Sequence, residues 1–152
     1  MPRPDSDLDD DAGRQSELGP RLQGAQPSTI AESAVRLARL VQRDPGAVEK
    51  FLIQIADDLA VVEPATRVAL CVTPPPPIEH EALDAVLAAL VEDLLSREGL
   101  PVPSWVHDAE RTAASEWDLV QVPALSAIAR AATPEPFRRR NVFIPADFFT
   151  SA

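Results

Sequence analysis

Cysteine and long apolar runs are scarce in this sequence, and each shortage excludes a class of protein. The single cysteine, Cys71, rules out an internal disulfide, and its place in the apolar run VALCV predicts a buried structural thiol. No uncharged apolar stretch approaches the ~18 residues of a membrane-spanning helix, so we expect no such helix. The opening residues, MPRPDSDLDDDAG, are acidic and lack the apolar segment of a secretory signal, which predicts a cytoplasmic protein.

The charge balance excludes further classes. With a formal net charge of −10, the chain should repel nucleic acids and anionic lipid surfaces, so we predict no direct nucleic-acid binding and no membrane association. Among its 14 bases, all but Lys50 are arginine, a bias that a GC-rich genome and a need for bidentate contacts explain equally well. Sixteen prolines against five glycines predict stiff loops and sharply ended helices.

Motifs of enzymes and metal proteins are missing as well. The sequence contains no HExxH, CxxC, GxSxG, Walker or GxGxxG pattern. His80 and Asp84 are four residues apart and would share a helix face, but a zinc site needs about three or four protein ligands, and no others lie at a suitable spacing. His107 beside Asp108 invites an acid–base role, yet adjacent residues rarely face each other. We therefore predict no catalytic residue, no metal and no cofactor, with a hydrolase using His107 as a remote alternative.

The chain divides into a tail and one domain. Residues 1–27 hold six acids, three arginines and few apolar residues, so they cannot bury enough surface to offset the entropy of ordering. They are predicted to form a disordered acidic tail, either a solubilising leader or an interaction arm. Residues 28–152 are predicted to form a single helical domain with an all-α fold, a small irregular helical bundle around a long central helix.

The central helix is the strongest element of this domain. Residues 79–98 place leucine and valine at helical spacing over a wide face, with Leu90 near its middle. Gly99 suits the left-handed position that follows a helix end. Trp105 and Trp117 are expected to be core anchors beneath this helix.

Two helices are predicted before the central one. Thr29 and Glu32 form the capping-box pattern that opens a helix over residues 29–43. Asp44 is the expected cap of a second helix over residues 45–60, which starts at a proline.

The segment between these helices and the central one is harder to assign. For residues 65–72 the β-branched content makes helix and strand almost equally favourable, and we favour helix slightly. The run TPPPPI that follows is expected to be a rigid spacer, or a segment read by a proline-binding partner. The two preceding helices are spaced like a helix-turn-helix, but the second offers only Glu49 and Lys50 early on its exposed side. It therefore lacks a basic face for DNA.

The segment FRRRNVF is the candidate partner-binding site. Residues 133–152 carry three arginines against two acids, so the C-terminus is net basic in an acidic chain. Arginine forks bind carboxylates and phosphates, and arginine and aromatic residues are enriched at interface centres. The predicted partner-binding residues are Phe137, Arg138, Arg139, Arg140, Asn141 and Phe143.

The three arginines should be divided between two roles. Three consecutive positions span ~300° of a helix, so at least one must face the protein itself. We expect Arg139 to brace the segment against acids of the core, and Arg138 and Arg140 to face outward beside exposed phenylalanines. The alternative is that all three pair with core acids, each exposed pair contributing ~0–1 kcal/mol. Asn141 tolerates left-handed geometry and is expected to end the helix.

Two stretches of the sequence, GLPVPSWVHDAER and TPEPFRRRNVFIPADFF, resemble the C-terminal region of a family of uncharacterised proteins from high-GC bacteria. In that family GLP-x-P-x-W lies about thirty residues before TP-x-x-F-x-RRN-x-F, and the match covers about residues 79–150. Several relatives carry an N-terminal helix-turn-helix and are encoded beside a nucleotidyltransferase-like protein. The resemblance therefore implies a regulator or antitoxin of a toxin–antitoxin pair.

Partner binding is the property that the resemblance implies for this chain, which has an acidic tail and no recognisable DNA-binding helix pair. We expect a non-enzymatic partner-binding protein, an antitoxin-like neutraliser of a nucleotidyltransferase-like toxin encoded by the neighbouring gene. Its acidity would suit a basic partner, because opposite charge speeds encounter. The alternative is an accessory subunit or a transcriptional regulator that lacks its own DNA-reading head.

Overall fold

Helices make up most of the computed structural model, which describes residues 26–120 and 127–149. The predicted all-α class is confirmed, with six α-helices and several 3-10 turns in these ranges. Most of the predicted acidic tail, residues 1–25, lies outside the described residues.

Helix α1 spans Ile30–Arg43 and begins at the predicted capping box. Thr29 Oγ1 accepts a hydrogen bond from Glu32 N at 3.1 Å, and Glu32 Oε1 accepts one from Thr29 N at 2.8 Å. Two otherwise unpaired amide groups are thereby satisfied. The inner face of the helix is buried and carries Ile30, Ala34 and Leu37.

Helix α2, Val48–Ala60, follows a single 3-10 turn over Pro45–Ala47. Asp44 is the N-cap residue of that turn and Pro45 occupies its first position, as predicted, but the Asp44 side chain makes no capping hydrogen bond. Asp44 instead closes the preceding helix, because its N–H donates to Leu40 O at 2.8 Å. The buried stripe of α2 consists of Val48, Leu52, Ile55, Ala56 and Leu59.

Helix α3, Pro64–Cys71, resolves the segment that the sequence leaves open between helix and strand. A proline at its first position favours helix because its fixed φ suits the first turn and its missing N–H would be unpaired there anyway. The proline-rich residues 73–80 that follow form no helix, as four consecutive prolines require.

Helix α4, Glu81–Arg97, is the predicted central helix, and its middle is enclosed on all sides. Every residue from Ala85 to Val91 is 0% exposed, Leu90 among them. At its C-terminal end Gly99 has φ 67°, and Leu100 N donates to Leu95 O at 2.9 Å. This is the helix ending predicted from the glycine.

The C-terminal part of the chain is irregular and covers α4. Two 3-10 turns, Ser104–His107 and Ala109–Arg111, pack against that helix. Strand β1, Trp117–Asp118, then pairs in parallel with strand β2, Val142–Phe143. Sequence periodicity does not predict this pair, because two residues are too few to show an alternating pattern.

Two short helices, α5 at Ala127–Ala131 and α6 at Glu135–Arg138, lie between the strands in the sequence. Helix α6 packs on α4 and carries the start of the arginine segment. Across the part of the chain that the structure describes, no helix has both the length and the hydropathy needed to cross a bilayer.

Candidate partner-binding surface

The two phenylalanines of FRRRNVF belong to the core. Phe137 is 0% exposed and Phe143 is 8% exposed, so the expectation that they are exposed apolar anchors is wrong. Phe137 stacks on Phe149 with ring centroids 5.6 Å apart, and the Arg130 guanidinium lies 3.9 Å from the centre of the Phe143 ring. Their burial has a simple cause: the middle of the central helix, Ala85–Val91, is apolar all round, and this segment supplies large side chains that cover one side of the helix.

Arg140 also points inward, contrary to the prediction that it faces solvent. It is 3% exposed, and it donates to Val106 O and Pro136 O at 2.7 and 2.8 Å. It also forms an ion pair with Glu92 Oε1 on α4 at 2.7 Å. Arg140 therefore connects the C-terminal segment to the central helix and to the 3-10 turn Ser104–His107.

Arg139 performs the bracing role expected of it, but at the surface. Its guanidinium pairs with Glu92 and with Glu135, the latter at 3.1 Å. Burial by itself would raise the pKa of Glu92, but hydrogen bonds from Arg139 and Arg140 outweigh burial and hold that pKa below its ordinary value. One carboxylate on α4 thus holds two of the three arginines.

Arg138 and Asn141 complete the segment. Arg138 is exposed and donates to Ala131 O at 3.2 Å, and it is the one arginine of the three with no carboxylate partner among residues 26–120 and 127–149. Asn141 has φ 64°, the left-handed geometry expected of it, and its Nδ2 donates to Ala113 O at 2.9 Å. Only Arg138 and the outer side of Arg139 remain available to a partner here.

Buried arginines recur in this fold and bind main-chain carbonyl groups. Arg67 of α3 is 5% exposed, and it donates to Leu59 O, Ala60 O and Val62 O at 2.7, 3.0 and 2.9 Å. The last carbonyl groups of a helix have no partner within the helix, and Arg67 supplies one at the end of α2. An ion pair with Glu98 completes its contacts.

Arg111 fixes the proline-rich segment in the same way. It is 5% exposed, donates to Pro75 O at 2.7 Å, and lies 3.6 Å from Asp84 Oδ1. Its guanidinium packs over the ring of Trp105, whose Nε1 donates to Cys71 O at 2.9 Å. Trp105 is thus a core anchor, as predicted, whereas Trp117 is only half-buried. Cys71 is buried as expected, and burial raises the pKa of its thiol to about 11.

The inward turn of Arg67 leaves an uncharged outer surface. Among residues 64–77 it is the only charged side chain, and it is buried. Val72, directly after the helix, is 57% exposed, and Val61, which precedes Glu63 and the helix, is 82% exposed. We call the exposed residues Ala65, Ala69 and Val72, together with Val61 just before the helix, the α3 face.

Acidic side chains border the α3 face at its start. Asp57 and Asp58 are exposed one turn before Val61, and Glu63 is exposed at the beginning of α3. The arrangement is apolar in the middle and negative at one edge, which resembles the apolar core and polar rim of protein interfaces. Composition could have indicated this surface, because residues 64–77 hold one charge in a chain that is 25% charged.

The histidines occupy ordinary positions. His80 caps α4, because its Nδ1 accepts a hydrogen bond from Leu83 N at 3.3 Å, and its ring meets the edge of half-buried Trp117 at 5.5 Å. Asp84, its proposed metal-site companion, accepts from Ile78 N at 3.0 Å. His107 is exposed. No three histidine, cysteine or acidic side chains in the described ranges are grouped so as to hold a metal ion.

Comparison of the chain with protein-family models, curated proteins and solved structures finds no match.

Proposed function

We propose that this chain is a non-enzymatic protein that binds a protein partner through the α3 face. The observation that carries the proposal is the exposed α3 face of a segment, residues 64–77, whose one charged side chain is the buried Arg67, in a chain whose net charge is −10. The site differs from the arginine segment, because most of that segment is committed to internal contacts.

The α3 face can be covered at little energetic cost. Placing a charged side chain in an interface requires that it be desolvated and paired, and this face has none to desolvate. Covering Val61 and Val72 would contribute about 1 kcal/mol or more each through apolar burial. Depletion of charge and retention of apolar side chains characterise the centres of protein interfaces.

The acidic residues that border the α3 face indicate a partner with basic side chains. Asp57, Asp58 and Glu63 would meet lysine or arginine side chains around an apolar centre. The net negative charge of the whole chain would favour encounter with such a basic partner. The expected partner is therefore a protein surface with an apolar middle and a basic rim.

The resemblance of residues 79–150 to antitoxin-like proteins supplies a candidate. On that basis the partner is the nucleotidyltransferase-like product of the neighbouring gene, and this chain is its neutralising subunit in the cytoplasm. Neutralisation would follow from simple occupation of the partner's surface, which requires no catalytic residue in this chain.

A binding experiment with two matched variants tests the proposal. The neighbouring gene product is co-purified with the wild-type chain, and its Kd is measured by calorimetry for wild type, Val72→Arg and Ile128→Arg. Ile128 is 84% exposed on α5, so its substitution adds the same charge at a comparably exposed site. We expect Val72→Arg to weaken binding about tenfold or more, ~1.4 kcal/mol, and Ile128→Arg to bind as wild type does.

Two results would count against the α3 face. Equal Kd values for wild type and Val72→Arg would remove this surface from the interface. Loss of binding in Arg138→Glu, with Val72→Arg unaffected, would return the site to the C-terminal segment. Thermal melting of each variant separates a lost contact from a lost fold.

A further inference from the structure

Three exposed arginines follow one another along α1, and no acid of the described residues forms an ion pair with them. Arg36, Arg39 and Arg43 are exposed, and none forms an ion pair within residues 26–120 and 127–149. Arg36 donates to Ser28 Oγ at 2.8 Å, a neutral acceptor. By contrast, Arg97 and Arg130 at the surface of the C-terminal half pair with carboxylates.

The three side chains form one positive surface, which we call the arginine face. They follow one another at intervals of three and four residues, the spacing that places helical residues on one side. Glu32 continues the same stripe toward the N-terminus; its carboxylate is held by Thr29 in the capping box and is also attracted by Arg36, one helical turn away. The face is therefore positive along most of α1.

The acidic complement of this face lies in the same chain. Residues 5–11, DSDLDDD, carry five aspartates and no base, and they precede α1 in the sequence. From residue 11 to residue 26 the chain can span at most ~50 Å, at ~3.3–3.6 Å per residue. Helix α1 is only about 21 Å long at ~1.5 Å per residue, so the acidic run can reach every arginine of the face.

We propose that residues 5–11 bind the arginine face of α1 in cis. Five carboxylates and three guanidinium groups are complementary in charge, and tethering makes the association intramolecular, with an effective concentration of about the millimolar order. The contact is electrostatic and exposed, so salt weakens it.

Disulfide trapping in the full-length chain tests this contact. Cysteines replace Leu8, inside the acidic run, and Gln42, which is exposed beside the arginine face. The same pair is prepared with Arg36, Arg39 and Arg43 changed to glutamine, and a second pair joins Leu8→Cys to Ile128→Cys. Native Cys71 is buried and stays out of the exchange.

Mild oxidation at low ionic strength should join positions 8 and 42 within one molecule. We expect this intramolecular bond to form about tenfold faster than in the glutamine variant, and the difference to vanish in about 0.5 M salt. The pair between positions 8 and 128 should form slowly and without dependence on the three arginines.

Non-reducing electrophoresis separates the possible outcomes. Equal rates with and without the arginines, or rates that salt does not change, would overturn the proposal. Disulfide-linked dimers without the intramolecular product would assign the face to the tail of a second copy, which also overturns binding in cis. Since α3 takes no part in these measurements, their result is independent of the partner-binding proposal.

Discussion

Removal of the Arg140 side chain is the sharpest test of how this fold is held together. In Arg140→Ala the guanidinium disappears from a site where it is 3% exposed, and Val106 O and Pro136 O lose their hydrogen-bond donors. A net loss of about 0.5–1.5 kcal/mol for each carbonyl, and about 1.5–3 kcal/mol for the charged Glu92 contact, gives about 2.5–6 kcal/mol. Glu92 retains Arg139, so we expect a value near 3 kcal/mol.

The measurement is equilibrium unfolding in urea, followed by circular dichroism and by tryptophan fluorescence. A loss of ~3 kcal/mol corresponds to a fall in Tm of roughly 6–12 °C for a chain of this size. Arg138→Ala is the matched control, because its exposed side chain has no carboxylate partner in the described ranges and should change stability by less than about 0.5 kcal/mol. A loss below about 1 kcal/mol for Arg140→Ala would refute its assignment as an internal anchor.

A double-mutant cycle measures how much of the stability lost in Arg140→Ala comes from its ion pair with Glu92. Glu92→Gln and Arg140→Ala are combined, and the coupling energy is the difference between the double variant and the sum of the single ones. Because the two groups are bonded at 2.7 Å, we expect a coupling of about 1 kcal/mol or more. Additive effects would mean that Arg140 acts through the carbonyl groups alone.

Three further predictions concern the core and the two groups with shifted pKa values. Leu90→Ala should lower the free energy of unfolding in urea by about 2–5 kcal/mol, whereas Val61→Ala, at a site 82% exposed, should change it by less than about 0.5 kcal/mol. Similar losses at both sites would contradict the assignment of Leu90 to the core. Cys71 should resist thiol reagents at pH 8 until the chain unfolds, because burial raises its pKa to about 11; rapid native labelling would refute this. Glu92 has a pKa below its ordinary 4.5 in the folded state, so its ionised form stabilises the fold above that pH. This stability is lost as the pH falls through the lowered pKa, and Glu92→Gln should therefore show a shallower acid loss of stability than wild type.

Local patterns in the sequence were sufficient to predict three of the helices, α1, α2 and α4, and most of their ends. The capping box at Thr29 and the left-handed Gly99 depend on residues within one or two helical turns, and both have the predicted geometry. The apolar stripe around Leu90 identifies the central helix because it repeats over several turns. Asp44 shows the limit of such patterns, since its backbone, rather than its side chain, closes the preceding helix.

The candidate surfaces could be predicted only in part. Composition placed three arginines in a net-basic C-terminus, yet Arg140 and Phe137 are internal. The uncharged α3 face was readable in principle, but only once Arg67 is known to point inward. A charged residue in an apolar helix has two possible directions, and the sequence of that helix does not choose between them.

Tertiary contacts decide whether such an arginine points inward, because some of its partners lie far away in the sequence. Arg67, Arg111 and Arg140 turn inward because main-chain carbonyl groups at helix ends and in irregular loops need donors that water cannot supply once they are covered. Arg111 and Arg140 reach carbonyl groups 36 and 34 residues away in the chain. The sequence alone determined where the regular helices form, through the periodicity of apolar residues and their caps; which arginines are buried was decided only when the chain brought those distant carbonyl groups together.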